Sequence, residues 1–140
     1  MTRDVICYVT NNTTYEYYPT INLTHGQESP TAPQPISGSQ NQGLAFSLSK
    51  TGGSMHGVTG SVSYVLNDGS TMFIGFNCPF AQDGTGIGDS NCFAYAGLTT
   101  VPSSGTSYSL EYSVSIDGAS MNPFDPAEGD TVTIYITINY

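Results

Sequence analysis

The segment KTGGSMHGVTGSVSYVLNDGSTMFIGFNCPF, residues 50–80, decides how this chain is read. Two runs rich in β-branched and aromatic residues, 61–66 and 71–76, flank Asn67-Asp68-Gly69. Asp-Gly between such runs is a strong hairpin signal, because a tight type I′ turn needs positive φ at its centre. The second run stops at Asn77-Cys78-Pro79-Phe80, where Pro79 has no N–H to give a ladder and so marks a strand end or edge. The glycine-rich approach, with Gly57 and Gly60 before the first run, leads into this hairpin, and a polar, glycine-rich loop follows it.

Outward from the hairpin the pattern remains β. Residues 5–10 alternate as a first strand, and Asn11-Asn12-Thr13 reads as a turn. Residues 15–23 form a second strand interrupted by Pro19, and 25–43 read as a long connection in which 32–36 lie extended along a sheet edge. Residues 44–49 alternate, with Leu44, Phe46 and Leu48 on one face and Ala45, Ser47 and Ser49 on the other. Residues 91–96 are a short strand. SYSLEYSVSI (107–116) and TVTIYITINY (131–140) alternate strictly, the latter with Val132, Ile134, Ile136 and Ile138 inward. No segment has a helical period. Eight to ten strands with closely spaced turns predict a single all-β domain over 1–140, an antiparallel sandwich.

Composition narrows the function. Charged residues make up 9 % of the 140, where about a quarter is typical, so Ser, Thr, Asn, Gln and Gly must solvate the surface. The formal charge is −9, with Arg3 and Lys50 the only cations besides two His. A nucleic-acid partner is not expected, because phosphate neutralisation needs a basic stripe. Docking on anionic lipid is disfavoured for the same reason. A membrane would have to be met through neutral or zwitterionic headgroups, glycans or inserted aromatics. No stretch reaches the length of a span, and MTRDVICYVTNN lacks a signal peptide's apolar centre. The expected location is therefore secreted or cytoplasmic without a classical leader, with association to target membranes.

Catalytic signals are missing. His25 and His56 sit in glycine-containing loops, and no nucleophile elbow, His-Glu-x-x-His or phosphate loop occurs. No enzyme and no cofactor are expected. In QDGTGIGDSN (82–91), Asp83 and Asp89 could offer carboxylates to Ca2+, but the spacing is not an EF-hand's and a solvated loop is the simpler account. Cys78 and Cys92 bracket this loop and could be bridged, or could each be a small buried apolar residue. Cys7 reads as a free core thiol. Tyr15, Tyr17 and Tyr18 cluster, and tyrosine offers flat apolar area with a hydrogen-bonding tip suited to sugars and choline-like cations. The same tyrosines could equally serve core and edge.

The order Lys50-Thr51, a glycine-rich turn, Gly57-x-x-Gly60, a strand, Asp68-Gly69, a strand and Pro79-Phe80 resembles the centre of the actinoporins over about thirty residues. These pore-forming cytolysins of sea anemones share a β-sandwich with the fungal fruit-body lectins. The strand VICYVTN and the last strand also resemble that family's first and last sandwich strands. Only residues 1–4 precede the first strand, where an actinoporin carries its pore helix, so the length is nearer the lectins. Aligning through Asp68-Gly69 and Pro79 puts Gly84 and Thr85 where two aromatics of the family's phosphocholine site stand, so that cluster is missing. Asn77 and Pro79 occupy positions of a Ser and a Pro that line the same pocket. The family's further tyrosines have no clear match here, and Tyr95 and Tyr108 are the ones expected to approach from neighbouring strands, so the candidate ligand set is Asn77, Pro79, Tyr95 and Tyr108 with Thr59. It implies a non-enzymatic cytolysin-like or lectin-like protein that binds a membrane-lipid headgroup or a glycan, in defence or as a toxin. The alternatives are a pure lectin and a self-assembling structural β protein that forms homo-oligomers.

Overall fold

The computed structural model describes residues 3–51, 57–78, 92–99, 108–117 and 130–140. Nine strands are present among them: β1 (Arg3–Asn11), β2 (Pro19–His25), β3 (Gln27–Thr31), β4 (Gly43–Ser49), β5 (Val58–Val65), β6 (Thr71–Cys78), β7 (Phe93–Thr99), β8 (Ser109–Asp117) and β9 (Asp130–Asn139). They form a five-stranded sheet in the order β3-β4-β1-β9-β8 and a four-stranded sheet in the order β2-β5-β6-β7. Every pairing is antiparallel except that of the first and last strands, β1 and β9, which run parallel. The architecture is the expected all-β sandwich.

Period-two alternation builds the core. Val5, Cys7 and Val9 of β1 and Val132, Ile134, Ile136 and Ile138 of β9 are buried on the inner side of the larger sheet. Val58, Val62, Tyr64, Met72, Ile74 and Phe76 face them from β5 and β6, and the rings of Phe46 and Phe76 meet between the sheets at 5.9 Å. Tyr64 keeps its hydroxyl satisfied by donating to the Gln34 carbonyl at 2.8 Å. Cys7 is a free thiol with no exposed surface, and burial pushes its ionisation far above the ordinary thiol range. Native protein at pH 8 is therefore expected to resist a disulfide-exchange reagent, while urea exposes one thiol per chain. Rapid native labelling would contradict this packing.

Four local readings change. The hairpin loop is not a two-residue type I′ turn. Asn67, Asp68 and Gly69 form a three-residue loop in which the Gly69 N–H donates to Leu66 O (3.0 Å) and the Leu66 N–H to Ser70 O (2.7 Å). Gly69, at φ 88°, is the one residue of this loop with positive φ, where a type I′ turn needs two. Asp68 completes the turn by accepting from the Ser70 N–H at 2.8 Å. Second, Leu44 does not share a face with Phe46. A bulge between Cys7 and Tyr8 skips Ala45, so Ala45 and Phe46 are both buried and Leu44 lies opposite Tyr8 on the outer side. Third, β2 starts at Pro19, and Tyr17 before it makes only an isolated bridge to Ile36. Fourth, residues 25–43 are less a connection than expected, since β3 lies within them and pairs with β4. The extended stretch after β3 follows β4 through the Gln34 N–H, which donates to Ala45 O at 2.8 Å.

The bridge Cys78–Cys92 is formed. It joins the end of β6 to the residue preceding β7.

Candidate functional site

The pairing of the four-stranded sheet determines which side chains meet on its outer face. Three transverse rows follow from the register: Thr20–Ser63–Phe73–Gly97, then Asn22–Ser61–Gly75–Tyr95, then His25–Thr59–Asn77–Phe93. The alternate residues Met72, Ile74 and Phe76 point into the core, which forces Phe73, Gly75 and Asn77 outward. None of these twelve positions carries a carboxylate, an ammonium or a guanidinium. On a molecule of formal charge −9 this is a window without acids or strong bases, with His25 on β2 as its one imidazole.

Its aromatic part is a ridge on β6 and β7. Phe93 is 49 % exposed and Tyr95 45 %. Tyr95 owes its position to Gly75, since a Cβ there would run into the Tyr95 ring itself. The ring thus lies across the backbone of β6, with its centroid 5.9 Å from that of Phe73 and the planes inclined by 36°. Beside Phe73, a Cβ added to Gly97 would meet nothing within 4 Å, so the row ends in an open notch.

The polar part lies one strand further in. Thr59 Oγ1 donates to Asn77 Oδ1 at 2.8 Å across the β5–β6 pair. With its carbonyl engaged, Asn77 has its amide N–H groups to present to a ligand. Ser61 and Ser63 continue the hydroxyl row along β5. The face therefore combines flat rings, amide donors and hydroxyls, the set that grips neutral polar groups with apolar bodies.

Of the candidate ligand set, Thr59 and Asn77 are in direct contact, and Tyr95 belongs to the adjacent row of the same face. Tyr108 does not join them. Its ring is buried, its hydroxyl meets that of Tyr17 at 2.8 Å, and it packs edge-on against Tyr140 with centroids 4.7 Å apart. The Tyr17 hydroxyl in turn reaches Asn67 Oδ1 at 3.4 Å, which places this cluster at the hairpin tip. Asn77 lies at the other end of β6, about 20 Å along the strand by its rise per residue. Burial and the Tyr17 hydrogen bond hold the Tyr108 hydroxyl well above the usual tyrosine range, as suits a structural group. Tyr17 is likewise core, which splits the Tyr15, Tyr17 and Tyr18 cluster, since Tyr15 and Tyr18 remain exposed. Pro79, Asp83 and Asp89 lie outside the described residues, as does His56. Phe73, Gly75 and Phe93 were not anticipated. Their signal was parity, because each shares the outward phase of Asn77 or Tyr95.

No family model matches the chain, and no curated protein sequence matches it either. Among solved structures, the lipid binding protein Nakanori overlays with a TM-score of 0.62 at 12 % identity, covering 99 % of this chain and 71 % of that one. IP-1A from Alcaligenes faecalis gives a TM-score of 0.40 at 16 % identity over 99 % of this chain and 89 % of its own, too loose an overlay to bear on the fold. At 12 % identity the first overlay establishes a shared fold.

Proposed function

We propose that this chain is a non-enzymatic recognition protein that docks a neutral or zwitterionic lipid headgroup, at a cell surface, on the outer face of its four-stranded sheet. The observation that carries this reading is the window itself. Phe73, Tyr95 and Phe93 form a ridge beside the Thr59–Asn77 pair, with no carboxylate, ammonium or guanidinium among the rows that surround them. Burying an ionised group against a headgroup is costly, whereas aromatic rings with polar neighbours suit the boundary between water and acyl chains. The net charge of −9 opposes anionic bilayers and favours neutral ones. The shared fold with a protein that binds lipid adds support. A defence or toxin role is the biological setting this reading suggests.

Co-sedimentation tests it with vesicles of phosphatidylcholine and sphingomyelin, with and without glycolipid, beside phosphatidylserine vesicles. Binding to the neutral vesicles is expected, and a Phe93→Ser, Tyr95→Ser double variant should bind at least about tenfold more weakly, as befits the loss of two partly buried rings. Full binding by a folded double variant would remove this face from the mechanism.

One observation favours a second reading. Tyr95 lies across Gly75 next to Asn77, Thr59 and Ser61, which is also how a pyranose ring is stacked and hydrogen-bonded. Sugar-inhibited agglutination of red cells without leakage, and no binding to protein-free vesicles, would favour a lectin. Assembly that depends on concentration and ignores every ligand would favour a structural β protein.

A further inference from the structure

The opposite face of the sandwich carries a separate constellation. Parallel pairing sets Tyr8 of β1 directly beside Tyr135 of β9, and their rings stack with centroids 5.6 Å apart and planes 14° from parallel. On the far side of Tyr135, β8 places Ser113 opposite it and Glu111 opposite Thr137. Glu111, Tyr112, Ser113, Tyr135 and Thr137 line a shallow cavity of about 230 Å³ at this edge. Tyr135 is 41 % exposed, so ring surface faces the cavity, whereas Tyr112, paired with the buried Ile136, has the opposite strand phase. The face shared by Glu111, Ser113, Tyr135 and Thr137 offers one aromatic ring, two aliphatic hydroxyls and a single carboxylate.

We propose that this cavity is a binding site for a small organic ammonium cation. The chemistry of the lining excludes the other classes in turn. An anion would face Glu111 and a molecular charge of −9. A purely apolar solute would cover the carboxylate and hydroxyls without pairing them, which costs desolvation. A neutral sugar would donate hydroxyls to Glu111 but bring no positive charge to balance it. An alkylammonium uses every part of the site. Its carbon shell lies on the tyrosine ring, its positive charge is attracted by the ring's quadrupole, and Glu111 supplies the counter-charge. The Tyr8–Tyr135 stack holds the ring in place beforehand, so little freedom is lost on binding. The site shares no residue with the Tyr95 face and stands or falls separately from it.

Titration of isotope-labelled protein with tetramethylammonium chloride, followed by amide resonances, tests the proposal. Saturable shifts centred on Glu111, Ser113, Tyr135 and Thr137 are expected with a dissociation constant in the millimolar range, weakened by added NaCl. Glu111→Gln, which preserves shape, should weaken binding about fivefold to tenfold, and Tyr135→Thr, which preserves strand preference, by a similar factor. An equal titration with glucose should leave these resonances unmoved. The proposal is overturned by the absence of shifts up to about 100 mM cation, by affinity unchanged in Glu111→Gln, or by an equal response to glucose. The same variants on phosphatidylcholine vesicles identify the source of the cation. Vesicle binding that falls in Glu111→Gln assigns the site to a lipid headgroup. Vesicle binding that is unchanged, with tetramethylammonium binding lost, assigns it to a free amine.

Discussion

Asn11→Ala is expected to destabilise the fold by roughly 3–5 kcal/mol, more than any other single polar deletion among the described residues, by the usual cost of stranding several buried partners. Asn11 ends β1 with no exposed surface. Its Nδ2 donates to Tyr15 O at 2.8 Å and to Ser37 O at 3.0 Å. Its Oδ1 accepts from the Thr13 N–H at 3.0 Å and from Thr13 Oγ1 at 2.7 Å. One side chain thus ties the loop after β1 to the turn before β4. Through Thr13 Oγ1, 3.0 Å from the Tyr17 hydroxyl, it also anchors the buried Tyr17–Tyr108 pair. Alanine would leave these partners in a space too well packed to admit water freely. Asn11→Asp should be nearly as damaging, since it loses both donors and buries a charge. Urea unfolding should show a lower midpoint at unchanged slope. A loss under about 1 kcal/mol would mean that water replaces the network.

That network also marks where the sequence stops being legible. Strict alternation identifies strands such as TVTIYITINY, because each inward residue is β-branched and each outward one polar, and the structure buries Val132, Ile134, Ile136 and Ile138 as that pattern requires. The sandwich class was readable for the same reason. Asn11 was not, because Asn-Asn-Thr has the composition of an exposed turn, and nothing local shows that loops 12–18 and 37–42 converge on it. The bulge opposite Cys7 and Tyr8 was equally hidden, as it depends on how two strands meet rather than on either alone. The candidate site was half visible. Thr59 and Asn77 are neighbours through the hairpin register, which the Asp-Gly signal nearly determines. Tyr95 joins them only through β6–β7 pairing across a long loop, and its place over Gly75 needs the absence of a side chain on another strand. Tyr108 shows the converse limit. A tyrosine suited to ligand binding by chemistry was committed to the core by the one at Tyr17, ninety-one residues away.

Removing the Cys78–Cys92 bridge should lower both stability and affinity, and the two losses have different causes. The cysteines are 14 residues apart, and opening a loop of that length costs roughly 3 kcal/mol in the chain-entropy account. For a domain of this size that is a fall in Tm of about 10 °C. A Cys78→Ala, Cys92→Ala double variant should show it, with no large cavity, because both cysteines are small residues. The second loss is local. Asn77 directly precedes one cysteine and Phe93 directly follows the other, and Asn77 with Phe93 is the terminal pair of the β6–β7 ladder. Without the crosslink that pair frays first, since a strand end has no neighbour beyond it to hold the register. Phe93 and the Thr59–Asn77 contact then lose their fixed spacing, whereas Tyr95, held further along the ladder beside Phe73, retains its place. The bridged and unbridged proteins should therefore differ severalfold in affinity for neutral vesicles even at temperatures where both are fully folded. Adding Phe93→Ser to the unbridged protein should cost less than adding it to the bridged one, because the same contact is already weakened. Full additivity of the two changes would show that the bridge acts on stability alone, and that the aromatic face is held by the sheet.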